Sequence, residues 1–523
     1  MTMAINVGQK SINMRCILMV FMTMFSLSIL GEDKGKTDIP PVIHSKIGSS
    51  ITTDGGELTI RLLTKKQNFD VSDVNTLDGN INSPKSANIH PNGKKMYINS
   101  LEGCATVVYS TQNYERLKVI KYSFNDSHQS LWGKPSALFP FTHYSKNVNI
   151  FAGKPVESTF SHKGRYLWIP FYRRTFDINA QDPSALAVID TEQDTIVRLM
   201  ETGPLPKMIA CSPDGKTIAV THWGNNTVGI IDASNANPME WHYTDKIVID
   251  YELQLNLSLD KPVNRDSDSG YCLRGTVFTP DGRYLLVGCM TGAYGIAVID
   301  MQDRKYLGRV LGTMPNVRHI LICDGWLYLS INKSGYVQRI RLNKFLNAAR
   351  AMKGKTTVLK GWEQCKVPAG ARTIELSPSG RYIFAACNID SKLAVVDSKE
   401  MRLIGTIDVD SYPVGLAIST DGSRVIVTSQ GRGENMGGNA VNIFAVEYSS
   451  EEKPLVREDS LMTDSAIVKG NITASTGSSL DIDDIILAIC SKRGIAVISV
   501  VIIFITAIMV SIRSKKMENE NRI

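Results

Sequence analysis

The feature that most constrains this chain is a phrase repeated seven times: an apolar run, a tight turn built on Ser-Pro-Asp-Gly or a variant, and a second apolar run opened by a basic or polar residue. The copies are NIHPNGKKMYI, TFSHKGRYLWI, IACSPDGKTIAV, VFTPDGRYLLV, LICDGWLYLS, ELSPSGRYIFA and AISTDGSRVIV, centred on Gly93, Gly164, Gly215, Gly282, Gly325, Gly380 and Gly422. An Asp-Gly or Asn-Gly pair serves a hairpin that needs positive φ. The glycines fall at intervals of 42 to 71 residues, as expected for a unit of about 42 carrying insertions. A second marker closes a third strand in four of the units: Val188-Ile189-Asp190, Ile230-Ile231-Asp232, Val298-Ile299-Asp300 and Val395-Val396-Asp397. A unit of short strands every 40-odd residues is a propeller blade. The sequence therefore predicts an all-β, seven-bladed β-propeller spanning residues 40–448.

Residues 84–448, about 70 % of the chain, resemble the YVTN-type β-propeller repeat family. Its repeats run strand, S-P-D-G-K/R, a strand like Y-V-T-N, then V-I-D. The second strands here end in Tyr97-Ile98-Asn99-Ser100, Ala219-Val220-Thr221-His222, Phe384-Ala385-Ala386-Cys387-Asn388 and Val427-Thr428-Ser429. The resemblance extends to quinoprotein amine dehydrogenase-like and lactonase-like seven-bladed propellers. It implies architecture more than activity, because such propellers host many functions. The last copy ends at residues 439–448 without a fourth strand. Leu58-Thr59-Ile60-Arg61-Leu62 is expected to complete it, closing the ring and hiding the edges an open array exposes.

The family's geometry places the first strand of each blade along the central channel. Eight residues before the turn glycine stand Lys85, Val156, Lys207, Arg274, Arg372 and Val414, and Arg318 joins them once the shorter Cys323-Asp324-Gly325 turn is allowed for. Five of the seven are basic, so Lys85, Lys207, Arg274, Arg318 and Arg372 are expected to ring the channel mouth. Gathered like charges are unfavourable unless acids or a ligand compensate. Glu157 and Glu375 are the acids at hand; a bound carboxylate, phosphate or sulfate group is the other solution. Arg173, Arg174, His222, Trp223 and Asn388 lie in loops expected on the same face, with Tyr172 beside them.

The remaining features mainly exclude. The eight histidines form no H-E-x-x-H, and no G-x-S-x-G, P-loop or C-x-x-C is present. No cofactor and no metal site is expected. A net charge of +7 over 523 residues gives no basis for nucleic-acid binding. Cys211, Cys289 and Cys387, within or beside apolar runs, read as buried thiols. Leu342, Phe345, Leu346 and Ala349 share one face of a helix predicted over 342–352.

The two ends suggest a membrane. Residues 1–31 carry Lys10 and Arg15, no acid, and the apolar run CILMVFMTMFSLSILG, as in a signal peptide or signal anchor. Residues 449–485 are polar and read as a flexible stalk. Residues 494–512 are 19 uncharged residues, about 28 Å as a helix. Arg513, Lys515 and Lys516 open a basic tail over 513–523, expected on the cytoplasmic side with the propeller outside. The expectation is a membrane-anchored, extracytoplasmic binding or scaffold module whose basic face suits an anionic small molecule, glycan or protein partner. The alternatives are a lactonase-like carbohydrate enzyme using that face, and a structural envelope or adhesion module.

Overall fold

The structure is a computed structural model describing residues 44–254, 268, 270–292, 294–431 and 439–449. Its strands form seven sheets arranged as the blades of a propeller, antiparallel apart from Thr356–Val358, which pairs parallel with Lys305–Leu311 at the edge of blade 4. Each first strand runs to one of the seven turns and is followed by strands in sequence order. The first strands of blades 1 and 3–7 are Pro84–Ile89, Pro206–Cys211, Leu273–Phe278, Val317–Cys323, Ala371–Leu376 and Pro413–Ile418. In blade 2 the first strand is the short Thr159–Ser161, and the hairpin behind it continues through Arg174 to pair with Phe151–Pro155.

The repeated phrase works as its chemistry requires. All seven turn glycines have positive φ, from +68° to +98°. Asp214, Asp281 and Asp421 each accept a hydrogen bond from the hydroxyl two residues back and from the backbone N–H two residues on. The basic residue after the glycine reaches the aspartate ending the third strand. Arg165–Asp190, Arg283–Asp300 and Arg381–Asp397 each meet at 2.6 Å. One aspartate thus stops a strand and ties it to its neighbour.

The ring closes with an N-terminal strand. Leu58–Gln67 pairs antiparallel with Ala440–Tyr448, Ile60 facing Val446 and Leu62 facing Phe444, and becomes the fourth strand of blade 7. Leu58, Ile60 and Leu62 are fully buried against Phe384, Val395, Val425 and Phe444 of blades 6 and 7. Similar apolar clusters fill the other blade interfaces, such as Met96, Ile98 and Val107 of blade 1 against Ile426, Val441 and Ile443 of blade 7. Helix α1 (Leu342–Arg350) buries Leu342, Phe345, Leu346 and Ala349 against blades 4 and 5. The fourth strand of blade 3 is His242–Val248, which pairs antiparallel with Thr227–Asp232.

Residues 1–31, the stalk beyond residue 449, residues 494–512 and the tail 513–523 lie outside the described residues. Among the described residues no helix is long and apolar enough to cross a membrane.

Candidate functional site

The site begins with a defect shared by six blades. In blades 1 and 3–7 the register between first and second strands slips at one place: Pro84/Ser86, Pro206/Met208, Leu273/Thr276, Val317/His319, Ala371/Thr373 and Pro413/Gly415. The residues at these bulges are Lys85, Lys207, Arg274, Arg318, Arg372 and Val414. A bulge leaves its extra residue unpaired and re-aims its side chain. Thus five cations stand at one level around the axis.

Hydroxyls hold that level rigid from blade to blade. Ser86 Oγ donates to the Val156 carbonyl at 2.8 Å, Ser330 Oγ to that of Arg372 at 2.7 Å, and Thr373 Oγ1 to that of Val414 at 2.7 Å. Ser330 Oγ and Thr428 Oγ1 also accept the N–H groups of His319 and Gly415, both at 2.9 Å. The carbonyls of Arg372 and Val414 and the N–H groups of His319 and Gly415, loosened at the bulges, are thereby satisfied.

The cations themselves are poorly compensated. Lys85, Arg274 and Arg372 are 4 %, 3 % and 7 % exposed, and Lys207 and Arg318 are half-buried. Burial first, then Arg372, holds the Lys85 ammonium well below its ordinary range; Glu157 acts the other way, and Arg274 and Arg318 add to the depression. Lys207 is lowered by burial and then by Arg274, Lys85, Arg318 and Arg372. Arg274 is pushed down to about 10 by burial and then Arg372, and Arg318 well below its usual value by burial, Arg372 and Arg274. Among the described residues, Glu157 is the carboxylate that counteracts this in Lys85, Arg274 and Arg318, and its Oε1 lies 3.5 Å from Lys85 Nζ. That separation is an ion pair rather than a well-formed hydrogen bond. Lys85 Nζ, Arg274 Nε and Nη1, and Arg318 Nε are buried with no hydrogen-bond acceptor. Arg318 Nη1 is directed at a thioether, Met290 Sδ, at 3.4 Å.

Aromatic rings flank one side of the cluster. Lys207 Nζ sits 3.6 Å from the Tyr172 ring centre and 5.5 Å from that of Trp223, and the Arg274 guanidinium lies 5.4 Å from Trp223. Trp223 is buried, and its indole N–H also lacks an acceptor. A central cavity of about 440 Å³ adjoins this level. It is lined by all seven first-strand segments, with Glu157, His319 and Glu375 in its wall, and extends to Pro213 of the blade 3 turn. Burial pushes the Glu375 carboxyl up to about 8, and lowers the imidazole of His319 to about 4. Burial disfavours the charged form of both.

The structure separates the sequence-derived candidates into two groups. Lys85, Lys207, Arg274, Arg318, Arg372 and Trp223 come together. Arg174, His222 and Asn388 belong to the scaffold. Arg174 is buried among Trp132, Phe141 and Phe151, with its Nη atoms hydrogen-bonded to Val148 O, Asn149 Oδ1 and Ser184 O. His222 accepts the Gly203 N–H at Nε2 (3.1 Å), so its proton sits on Nδ1 and is donated to Thr227 Oγ1 (2.8 Å); burial lowers its pKa to about 3. Asn388 Oδ1 accepts from Asn332 Nδ2 at 3.0 Å, linking blades 5 and 6. Arg173 is half-buried and donates to the Asp177 carbonyl at 3.3 Å. The expected exposed mouth differs in one respect: three of its five cations are almost fully enclosed. Met290 was not legible as a neighbour, since its position in a loop end carries no pattern.

Fold and site together define a seven-bladed β-propeller with an axial cluster of under-compensated cations. No family model matches this chain, and no curated protein matches it in sequence. Two solved structures are similar over most of their length. Kuenenia stuttgartiensis hydrazine synthase shares 14 % identity at a TM-score of 0.48, covering 71 % of this chain and 96 % of that one. The β-propeller domain of Myceliophteria thermophila Cps50 (Swd1) shares 10 % identity at a TM-score of 0.47, covering 70 % and 97 %. The blade count rests on the strand pairing above.

Proposed function

We propose that this protein is a binding or scaffold propeller of YVTN type whose axial cluster, Lys85, Lys207, Arg274, Arg318 and Arg372, receives an anionic group from a small molecule, glycan or protein partner. We further propose that residues 494–512 hold it in a membrane with the propeller on the extracytoplasmic side. One observation carries the binding reading: five cations share one level of the axis, and four of their nitrogen atoms are buried without an acceptor. Buried polar groups are nearly always satisfied, and an unpaired buried charge is costly. An anion supplies both the acceptors and the compensating charge.

The test is thermal unfolding of the full chain in detergent against a panel of anionic sugars, nucleotides and inorganic anions. Binding to the native state raises the midpoint by mass action. An increase in wild type that is lost in the Arg274→Gln/Arg372→Gln variant supports the site. No shift with any anion, or equal shifts in both proteins, refutes it. For the anchor, alkaline extraction leaves the intact chain with membranes and releases a chain lacking 494–512. Release of both refutes the anchor.

A further inference from the structure

The cluster's unmet needs are one-sided. Every unsatisfied nitrogen on its cations is a donor: Lys85 Nζ, Arg274 Nε and Nη1, and Arg318 Nε. Neither the ammonium nor the guanidinium can accept a hydrogen bond, and Trp223 Nε1 nearby is also donor-only. What such a set lacks is a compact group with several acceptor lone pairs and no donor of its own. The charges point the same way. Five basic side chains share one level with Glu157, while burial disfavours the charged form of Glu375 in the cavity wall. Glu157 pairs with Lys85 alone at 3.5 Å, and one further carboxylate would leave most of the donors without a partner.

Glu157 has a particular place in this arrangement. It follows Val156, which occupies the ring position of blade 2. Its side chain lines the central cavity, pairs with Lys85 across the blade 1–2 boundary at 3.5 Å, and acts on Arg274 and Arg318 from the other side of the axis. A carboxylate so placed does part of what a ligand would do.

Building on the anion-binding reading above, we infer that the axial cluster is selective for a tetrahedral oxyanion group bearing two negative charges, a phosphate or sulfate, and that Glu157 is the internal anion it competes with for Lys85, Arg274 and Arg318. The competition sets the selectivity. A singly charged ligand gains little over the carboxylate already present. A doubly charged one matches the basic side chains better and brings more acceptors to guanidinium forks suited to oxyanions. The group can arrive as a free inorganic ion or as the terminal ester of a larger molecule; the chemistry at the axis is the same.

The experiment is isothermal titration of the full chain in detergent at constant ionic strength, with inorganic sulfate, inorganic phosphate, a sugar phosphate monoester and acetate, comparing wild type with Glu157→Gln. Glutamine preserves the shape and removes the charge. The expected result is saturable binding of sulfate or phosphate to wild type, with acetate weaker by at least about tenfold, and tightening of the dianion by about tenfold or more in Glu157→Gln, the scale of one hydrogen bond to a charged group. The ester arm separates the sources: ester binding as tight as the free ion means that the axis takes a terminal group, and loss of ester binding restricts it to the free ion. Acetate binding as tightly as the dianions leaves an anion site but overturns its selectivity. Dianion affinity unchanged or weakened in Glu157→Gln overturns the role of Glu157. No binding of any of the four anions to either protein overturns the site together with this inference. The wild-type comparison of acetate with sulfate needs no variant, so a poorly folding mutant does not rescue the proposal.

Discussion

Two buried arginines should respond with opposite sign to the same substitution. Arg274 is 3 % exposed, with two nitrogens lacking acceptors and all four other ring cations acting on it or acted on by it. Its pKa falls from 12.5 to about 10, and each unit is about 1.4 kcal/mol, so holding the charge costs the fold about 3 kcal/mol. Arg274→Met removes that cost and keeps most of the side-chain volume, which should stabilise the anion-free protein by about 2–3 kcal/mol. Arg174 is buried as deeply, is likewise pushed down to about 10 by burial and leaves its Nε without an acceptor, but its Nη atoms satisfy Val148 O, Asn149 Oδ1 and Ser184 O. Arg174→Met gives the same relief but orphans those three oxygens, at about 1–3 kcal/mol each for a buried acceptor, so it should destabilise by about 3 kcal/mol in total. Unfolding entropy near 2 cal/mol/K per residue over roughly 400 residues converts 3 kcal/mol into a midpoint change of about 3–4 °C. The assay is differential scanning calorimetry in a zwitterionic buffer, repeated with saturating sulfate. A ligand at a hundred times its Kd adds about 2.7 kcal/mol to wild type and little to Arg274→Met, so the two proteins should draw level or change order. If Arg274→Met lowers the anion-free midpoint as much as Arg174→Met does, the cations are compensated and the reasoning fails.

Two further outcomes test the frame. Leu62→Ala, in the closing strand and 1 % exposed against Phe444, should destabilise by about 2–4 kcal/mol in urea unfolding and raise the rate of proteolysis within residues 58–67; a loss below about 1 kcal/mol would mean that this strand does not clasp the ring. Glu375 keeps its proton up to about pH 8 in the fold but loses it near 4.5 when unfolded, so the folded state binds the extra proton and stability falls as pH rises between those values. Glu375 is only half-buried, which discounts the full shift to about 1–2 kcal/mol; Glu375→Gln should flatten that slope in unfolding measured from pH 5 to 8, and an unchanged slope would refute the assignment.

The parts of the fold legible in the sequence are those where one residue type has one job. Positive φ at the turn selects glycine, and the seven glycines alone count the blades. The arginine after the glycine and the aspartate closing the third strand are each visible separately; their contact is a structural finding. Fourth strands were harder to see. Arg116–Lys121 and Glu363–Lys366 lie on the outer edge with mostly exposed side chains, so apolar alternation has little to record. The site divides in the same way. Alignment on the glycines finds the five cations because the bulge recurs at a fixed distance from the turn. Arg174 and His222, expected in loops, end strands Tyr166–Arg174 and Thr217–His222, and Asn388 follows a strand; none has such a register. Their partners come from elsewhere in the chain, and a polar residue at a strand end reads alike whether it faces a ligand or a carbonyl.

The two valines explain why the ring is not uniform. Val156 and Val414 occupy blades 2 and 7, on either side of Lys85, so the cations form an arc across blades 3 to 6 with Lys85 standing apart. Glu157 rises from the first of those valine blades and reaches Lys85. A seven-fold repeat left to itself would put the same charge on every blade, a closed ring with no preferred direction. Replacing two cations with valine and adding one carboxylate beside them gives the axis a positive arc facing a paired side. On that arc, the aromatic faces of Tyr172 and Trp223 already engage Lys207 and Arg274, leaving the donors of Arg274 and Arg318 as the unmet ones. The departures from the repeat, more than the repeat itself, define where an anion would sit.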